Sequence, residues 1–433
     1  MEIKDPIHDT IHFDPHEAML LKSPFFQRLR HIKQMGVSDY AFPGATHTRF
    51  LHSVGAFALA KKIIPLLFEK NGFSPKNAEI QKLIQCAQVA VLLHDIGHAP
   101  LSHSTELVMP PLSSLKLPLF FQEGRPSRAT HEDYTLAIIN DESMRPFFAP
   151  LINKYNINSE NISSLIFGAP HKKEFFIVQG IDFFPLLTQL VSSEVDCDRM
   201  DYLLRDSYYC GVTYGRYDLG WLIENLTLTV EENQAFLAFP RRTLLALDNF
   251  LLCRHYMFLM VYFHHKSVVY EKMLMNYLQS EDCTYRIPSD LQEYLLHDDY
   301  FFKESMKKST NKTAKKLIQG DLPSKVMEST NGHHEYLMKS IQSFFEKENI
   351  SYHYTSSRGQ LSNYYLKNSS SFFPIKIVDE YVLNSTLKKQ QSISEGSDLY
   401  QKFSAAHHIE RLHCDIDTLT HEQNKFLYKM INR

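Results

Sequence analysis

The sequence predicts a mainly α protein, a helical core followed by a smaller α+β lobe, and three observations predict it. Apolar residues recur at one-turn spacing through the first two thirds of the chain. Beyond about Asn276, Lys-rich polar stretches alternate with short runs rich in β-branched residues. The 433 residues are 44% hydrophobic and 22% charged, the balance of a chain that folds on its own.

In chain order, Ile80, Leu83, Ile84, Ala87 and Val91 mark one helical face before the segment turns apolar all round at 89–93. A helix that runs into the core is expected there, stopped near Gly97 and Pro100, with His94 and Asp95 on its last turn. Polar groups so placed need partners. A second helix is expected over 187–206, where Asp198, Tyr202 and Asp206 stack at i, i+4 and i+8 and Leu187, Leu190 and Val191 anchor it. A third, over 244–277, carries Arg254, Tyr262 and the His264–Lys266 cluster. In the last third, PIKIVDEYVL (374–383) reads as strand, and the Ser-, Asn- and Tyr-rich 356–371 and the stretch 390–397 read as loops. This divides the chain into a core, 1–275, and an accessory α+β lobe, 276–433, expected to serve oligomerisation or regulation.

Charge and cysteine usage exclude some functions. With 46 Lys and Arg against 49 Asp and Glu, no global basic field exists to attract a nucleic-acid backbone, so nucleic acid is not an expected partner. Six scattered cysteines without a CxxC pair argue against a zinc ribbon or a disulfide framework. MEIKDPIHD has no signal-peptide h-region, and the most apolar later stretch, 249–263, holds Arg254 and His255 and is short for a bilayer; a cytoplasmic chain without membrane contact is expected.

Four groups suited to a divalent cation recur in order: His52 in RFLHSVG, His94 and Asp95 in HDIGHAPLSH, and Asp198 in DRMDYLLRD. Imidazole nitrogen and carboxylate oxygen hold borderline metals while leaving positions for water, whose pKa the ion lowers toward neutrality. A lone His-Asp dipeptide is ordinarily a surface pair or a satisfied buried bond. Here it ends an apolar helix, precedes His98 and His103, and is flanked by matching elements on both sides.

The motifs YAFPGATHTRFLHSVG, HDIGHAPLSH, THED, DRMDYLLRDSYYCGVTYG and VYFHHK, in that order over about 5–266, resemble the HD-domain deoxynucleoside triphosphate triphosphohydrolases. The resemblance implies an HD-domain helical core in which His52, His94, Asp95 and Asp198 ligate a divalent ion (Mn, Fe, Mg, Zn, Co or Ni), and Asp201 is a neighbour, not a ligand. It implies that His131 is the general acid toward the departing 5' oxygen, that Glu132 orients it, and that His98 and His103 lie beside the α-phosphate. Arg49, Arg199, Arg254 and Lys266 become triphosphate contacts, where guanidinium forks match phosphate oxygens. Gln34, Tyr202 and Asp206 become partners of the sugar 3'-hydroxyl, and Tyr262 the ring that excludes a 2'-hydroxyl.

The reaction implied is water attack on the α-phosphorus of a dNTP, releasing deoxynucleoside and inorganic triphosphate. The spacing of the residues by itself supports only metal-assisted phosphoester hydrolysis; another nucleotide substrate, or a nucleotide-sensing scaffold, are the rival readings. Vertebrate members carry an Asp where this chain has Lys22 in KSPFFQRLR, and Glu2 and Lys4 also depart from their guanine-nucleotide regulatory site, although Gln27 and Arg30 are kept. A nucleotide activator of another kind, or none, is therefore expected, within a homo-oligomer, dimer or tetramer.

Overall fold

Asn77 accepts hydrogen bonds from the Glu79 and Ile80 amides, and this cap starts the helix Ala78–Leu93, whose residues from Leu83 to Leu93 are all buried. Beside it runs Arg49–Lys70, likewise apolar on most faces, with His52 in its first turn. The helix Cys197–Tyr209 packs against the other side of Arg49–Lys70. These three helices frame the site. The computed structural model describes residues 1–359 except 123, 124 and 126, and beyond them 373–378, 390–392, 399 and 407–432.

The molecule is mainly α with a smaller α+β part. Buried apolar side chains from Ile11 to Leu317, together with Ile375 and Ile377, make one continuous core. A second, smaller core of Met338, Ile341, Phe345, Leu412, Cys414 and Leu427 lies under the helices Glu335–Lys347 and His421–Ile431. Those helices accompany a three-stranded antiparallel sheet in which His407–Cys414 is central, between Ser324–Thr330 and Tyr352–Gly359. A mixed sheet joins distant segments: Gln234–Pro240 pairs antiparallel with Thr227–Glu231 and parallel with Lys376–Val378. At the other end of the chain Glu2–Asp5 and Asp9–His12 form an antiparallel hairpin.

Several elements differ from the sequence expectation. The stretch 187–206 is two helices, Phe184–Val191 and Cys197–Tyr209. The Asp196 carboxylate accepts from the Ser193 and Arg199 amides, and this local bonding competes with a continuous helical ladder. The predicted helix over 244–277 is also interrupted: Leu244–Met257 passes into a π-turn, Phe258–Tyr262, and a new helix, His265–Gln279, begins after His264. His94 and Asp95 lie just past the last turn of their helix, because the His94 carbonyl accepts from Thr135 Oγ1 (3.0 Å) and tight turns carry the chain on to His98.

The expected loop 356–371 begins inside a strand, with Ser356 and Ser357 paired to Glu410 and Ile409; residues 360–371 lie outside the described residues. Residues 390–392, expected as loop, pair with Lys376–Val378, and 393–397 are outside the described residues. Of the expected strand 374–383, Lys376–Val378 is strand, and 379–383 are not described. The apolar run expected to be short for a bilayer is part of a 22-residue helical segment, Arg241–Tyr262, long and apolar enough by length and composition to cross one; its most apolar window is 44% buried. Arg49–Lys70 passes the same test as a core helix, 67% buried.

The junction between the three-stranded sheet, which carries His413, and the helix His265–Gln279 predicts an acid response. Burial, then His265 and Arg411, push His413 down to about 3, and burial with His264 and Lys325 pushes His265 down to about 4. A histidine lowered in the fold stabilises it fully above its unfolded value near 6.5 and progressively less as pH falls from there toward the folded value. Urea midpoints should therefore fall between pH 6.5 and 4, and the fall should be shallower in His413→Gln. Identical pH slopes for the two proteins would exclude this origin.

Candidate metal centre and adjoining histidine cluster

Three helix ends bring four donors together. His52 Nε2 lies 3.0 Å from Asp198 Oδ1, 3.7 Å from Asp95 Oδ2 and 3.4 Å from His94 Nε2. His94 Nε2 lies 3.3 Å from Asp95 Oδ1 and 3.7 Å from Asp198 Oδ1. Ligands bound at roughly 2.0–2.2 Å to one ion have mutual separations in this range. Asp198 sits in the first turn of its helix, where the unpaired amides favour a carboxylate.

The second nitrogen of each imidazole is already committed. His52 Nδ1 donates to Asp201 Oδ2 (2.8 Å) and His94 Nδ1 to the Val91 carbonyl (2.7 Å), which leaves both Nε2 lone pairs free for a cation. Burial opposes charge on His52, but its hydrogen bonds to the Asp198 and Asp201 carboxylates outweigh it and raise its pKa to about 10. Against burial, His94 and Arg49 hold Asp95 well below the usual carboxylate range. Buried carboxylates facing imidazoles form a site that takes up positive charge, and the residues fit a divalent ion. Asp201 bonds the other ring nitrogen of His52 and does not face the converging Nε2 atoms.

Beside this centre lies a group of three histidines. The His98 and His131 rings stack with centroids 3.9 Å apart, and His103 meets both edge-on at 5.0 and 4.9 Å. His98 Nε2 is 3.3 Å from Asp95 Oδ1, and burial, Arg49 and His131 push His98 well below its usual pKa, so its ring is neutral. Thr130 caps the helix His131–Ile139, which passes so close to Gly97 that a Cβ there would lie 2.1 Å from the Thr135 nitrogen. That close approach, together with the Gly97 amide donating to Thr135 Oγ1 (3.0 Å), holds His131 beside the His94–Asp95 turn.

The carboxylate on His131 is Glu106, not the expected Glu132. Glu106 Oε1 accepts from His131 Nδ1 at 2.5 Å and from His103 Nδ1 at 3.1 Å. Glu132 lines the same cavity, but its half-exposed carboxylate lies 3.4 Å from Arg125. The reason is helical direction: the neighbour of His131 along its helix points away from the bonded ring nitrogen, whereas the turn after His103 brings Glu106 across. Burial raises Glu106, yet His103 and His131 hold it down at about 2.

A cavity of about 330 Å³ opens onto the centre, lined by Gln34, Arg49, His94, Asp95, His98, His103, His131, Glu132, Asp198 and Tyr202 among others. Arg49 is half committed, with Nη1 on Asp95 (2.5 Å) and Nε on Ser102 (3.0 Å). Arg199 pairs with Asp196 and Arg254 with Glu194, and the Nε of each is buried without a partner among the described residues. Gln34 Oε1 is also buried and unpartnered. The Tyr262 hydroxyl donates to Asp206 Oδ2 (2.7 Å), whose Oδ1 bonds His47 Nε2 (2.7 Å), and the Tyr262 ring meets Tyr202 edge-on. Arg199, Arg254, Asp206 and Tyr262 are not among the residues lining this cavity, and neither is Lys266, which is exposed at the start of His265–Gln279 near His264 and His265.

Sequence reasoning missed Glu106, Asp5, His8, Arg205 and His47. The interval His103-x-x-Glu106 was a readable signal for the first; the others act through partners more than 150 positions away.

No family model matches the chain. It is 32% identical over 268 residues, 61% of its length, to an uncharacterized protein of Mycoplasma pneumoniae, the MG461 homolog, covering 56% of that protein. It is 31% identical over 221 residues to the human deoxynucleoside triphosphate triphosphohydrolase SAMHD1, 48% of this chain and 33% of that one. The chain spans about half the length of the first of the curated relatives it matches. In fold it resembles a hypothetical protein from Aquifex aeolicus (TM-score 0.74, 24% identity, 99% of both chains) and a phosphohydrolase from Bacteroides thetaiotaomicron (TM-score 0.67, 23% identity, 96% and 99%).

Proposed function

We propose that this chain is an HD-type metal-dependent phosphohydrolase that cleaves deoxynucleoside triphosphates to deoxynucleoside and inorganic triphosphate. The observation that carries the reading is the convergence of His52, His94, Asp95 and Asp198 next to the Glu106–His131 pair, with His94, Asp95, Asp198 and His131 on the wall of one cavity. The similarity to SAMHD1 over the helical core supports the choice of substrate. A bound divalent ion would supply Lewis acidity toward a phosphoryl oxygen and ease deprotonation of water.

The chain's own groups perform the rest. Arg49, held between Asp95 and Ser102, and beyond it Arg199 and Arg254, balance the charge of the polyphosphate. His131 carries a proton for the leaving 5' oxygen as the bond to the α-phosphorus breaks; Glu106 on Nδ1 keeps that ring turned so that Nε2 faces the cavity. Neutral His98, stacked on His131, fixes the ring plane without adding charge. Asp206, with Tyr202 and Gln34, accepts or donates at the sugar. In this reading the small core under Glu335–Lys347 and His421–Ile431 is the accessory part of the expected lobe 276–433, while Tyr277 to Leu317 pack into the main core, and the enzyme works in the cytoplasm as a homo-oligomer.

The test is incubation of the full chain with a mixed dNTP pool and individual divalent metals, followed by chromatography resolving nucleoside and triphosphate. Release of pyrophosphate or phosphate instead would move the substrate to another nucleotide, and inertness with every metal would leave a sensor. The sugar assignment makes its own prediction. Tyr262→Ala should raise ribonucleotide turnover relative to deoxyribonucleotide by on the order of tenfold, the scale of discrimination by a steric apolar wall. An unchanged ratio would remove Tyr262 from that role.

A further inference from the structure

The N-terminal hairpin reaches the candidate metal centre through an unbroken line of hydrogen-bonded charges. Asp201, three residues after Asp198, is fully buried and accepts four bonds: His52 Nδ1 (2.8 Å), His8 Nε2 (2.6 Å), Arg205 Nε (2.8 Å) and Arg205 Nη2 (2.9 Å). A carboxylate offers about four lone-pair sites, so Asp201 is saturated. That saturation accounts for its absence from the donor set. Arg205, fully buried, continues the line with Nη1 and Nη2 on the two oxygens of buried Asp5 (2.8 and 3.2 Å). Asp5 Oδ1 in turn accepts from the Ile7 and His8 amides, both at 2.9 Å, and so shapes the hairpin turn that delivers the His8 ring.

The His52 helix is fitted to this network. A Cβ on Gly55 would lie 2.1 Å from both Arg205 Nη2 and Asp201 Oδ1, so only glycine lets the helix close over the pair. Burying a guanidinium and two carboxylates is costly even when all are paired, and an apolar core of similar volume is commonly as stable. What such a cluster supplies is orientation. With two carboxylates to one guanidinium, it also directs an excess negative charge at the His52 ring from the side opposite the cavity, which makes Nε2 a better donor.

We propose that the N-terminal hairpin is a positioning element of the metal centre: His8, Asp5 and Arg205 lock Asp201, and Asp201 fixes the rotation and tautomer of His52. The proposal rests on the metal reading above and adds to it a cluster outside the cavity.

The test is calorimetric titration of the full chain with Mn²⁺, comparing the unaltered protein with His8→Leu, His8→Gln, Asp5→Asn and His94→Ala. His8→Leu and Asp5→Asn should bind Mn²⁺ more weakly by roughly 10–100-fold, the usual cost of losing an outer partner of a ligand. His8→Gln, whose amide can still donate to Asp201, should recover much of the affinity, and the Co²⁺-loaded absorption spectrum should change in His8→Leu and return toward the original in His8→Gln. Asp5→Asn is isosteric and tests the same line if His8→Leu does not fold. Mn²⁺ binding lost in His94→Ala but unchanged in His8→Leu and Asp5→Asn overturns the proposal and leaves the metal reading standing. No binding by the unaltered chain, or full binding by His94→Ala, overturns both.

Discussion

Asp198→Ala is expected to lose metal and turnover together, with a fall in activity exceeding the roughly 10–100-fold that loss of an outer-shell partner costs. Asp198 Oδ1 is within 3.0 Å of His52 Nε2 and 3.7 Å of His94 Nε2, so it closes the donor set on the helix opposite the His94–Asp95 turn. Its removal also takes away a carboxylate that raises both imidazoles. The fold should survive, because Asp198 is the most exposed of the four, at 30% of its side chain, and the cap of its helix is Asp196. Metal content by elemental analysis, measured alongside circular dichroism and phosphohydrolase assays, checks the prediction. Full activity in a folded Asp198→Ala protein would dismantle the assignment. Chelator treatment of the unaltered chain should mimic the variant, and added Mn²⁺ should reverse only the chelator's effect.

The second large effect is expected at His131. His131→Ala should keep the metal while slowing turnover by about a hundred- to ten-thousandfold, the usual contribution of a positioned general acid. His131 lies next to the cation donors without being one of them, stacked on His98 and bonded to Glu106. Glu106→Gln should give a smaller loss of the same kind, with kcat lowered more than KM is raised, since it acts through the ring. Glu106 carries a stability signature too. Its folded pKa of about 2 lies below the ordinary glutamate value of 4.5, so its stabilisation is fully present above pH 4.5 and lost as pH falls toward 2. The Gln variant should flatten that part of the acid-unfolding curve. Loss of metal in His131→Ala equal to that in Asp198→Ala would make His131 structural or a ligand.

How much of this was legible beforehand differs by residue. The four donors could be named because each stands in a short motif whose residue types suit a cation. The helix ending at Leu93 was legible too, since its apolar residues are local and periodic. Glu132 was misassigned because adjacency in sequence does not give adjacency of side chains on a helix; neighbours there diverge by about 100°. The breaks at 192–196 and 258–264 were missed because a capping Asp and a π-turn override a periodicity that continues straight through them.

The sequence by itself determined the class of fold, the donor types and their order along the chain. Tertiary structure alone decided that Glu106 holds His131, that Arg49 is shared with Asp95, and that a hairpin at residues 2–12 is bonded to a helix some 200 positions on. The reason is that composition and period report on local free energies, whereas which carboxylate meets which ring depends on how three helix ends converge. A buried charge takes whichever partner that convergence brings within hydrogen-bonding distance.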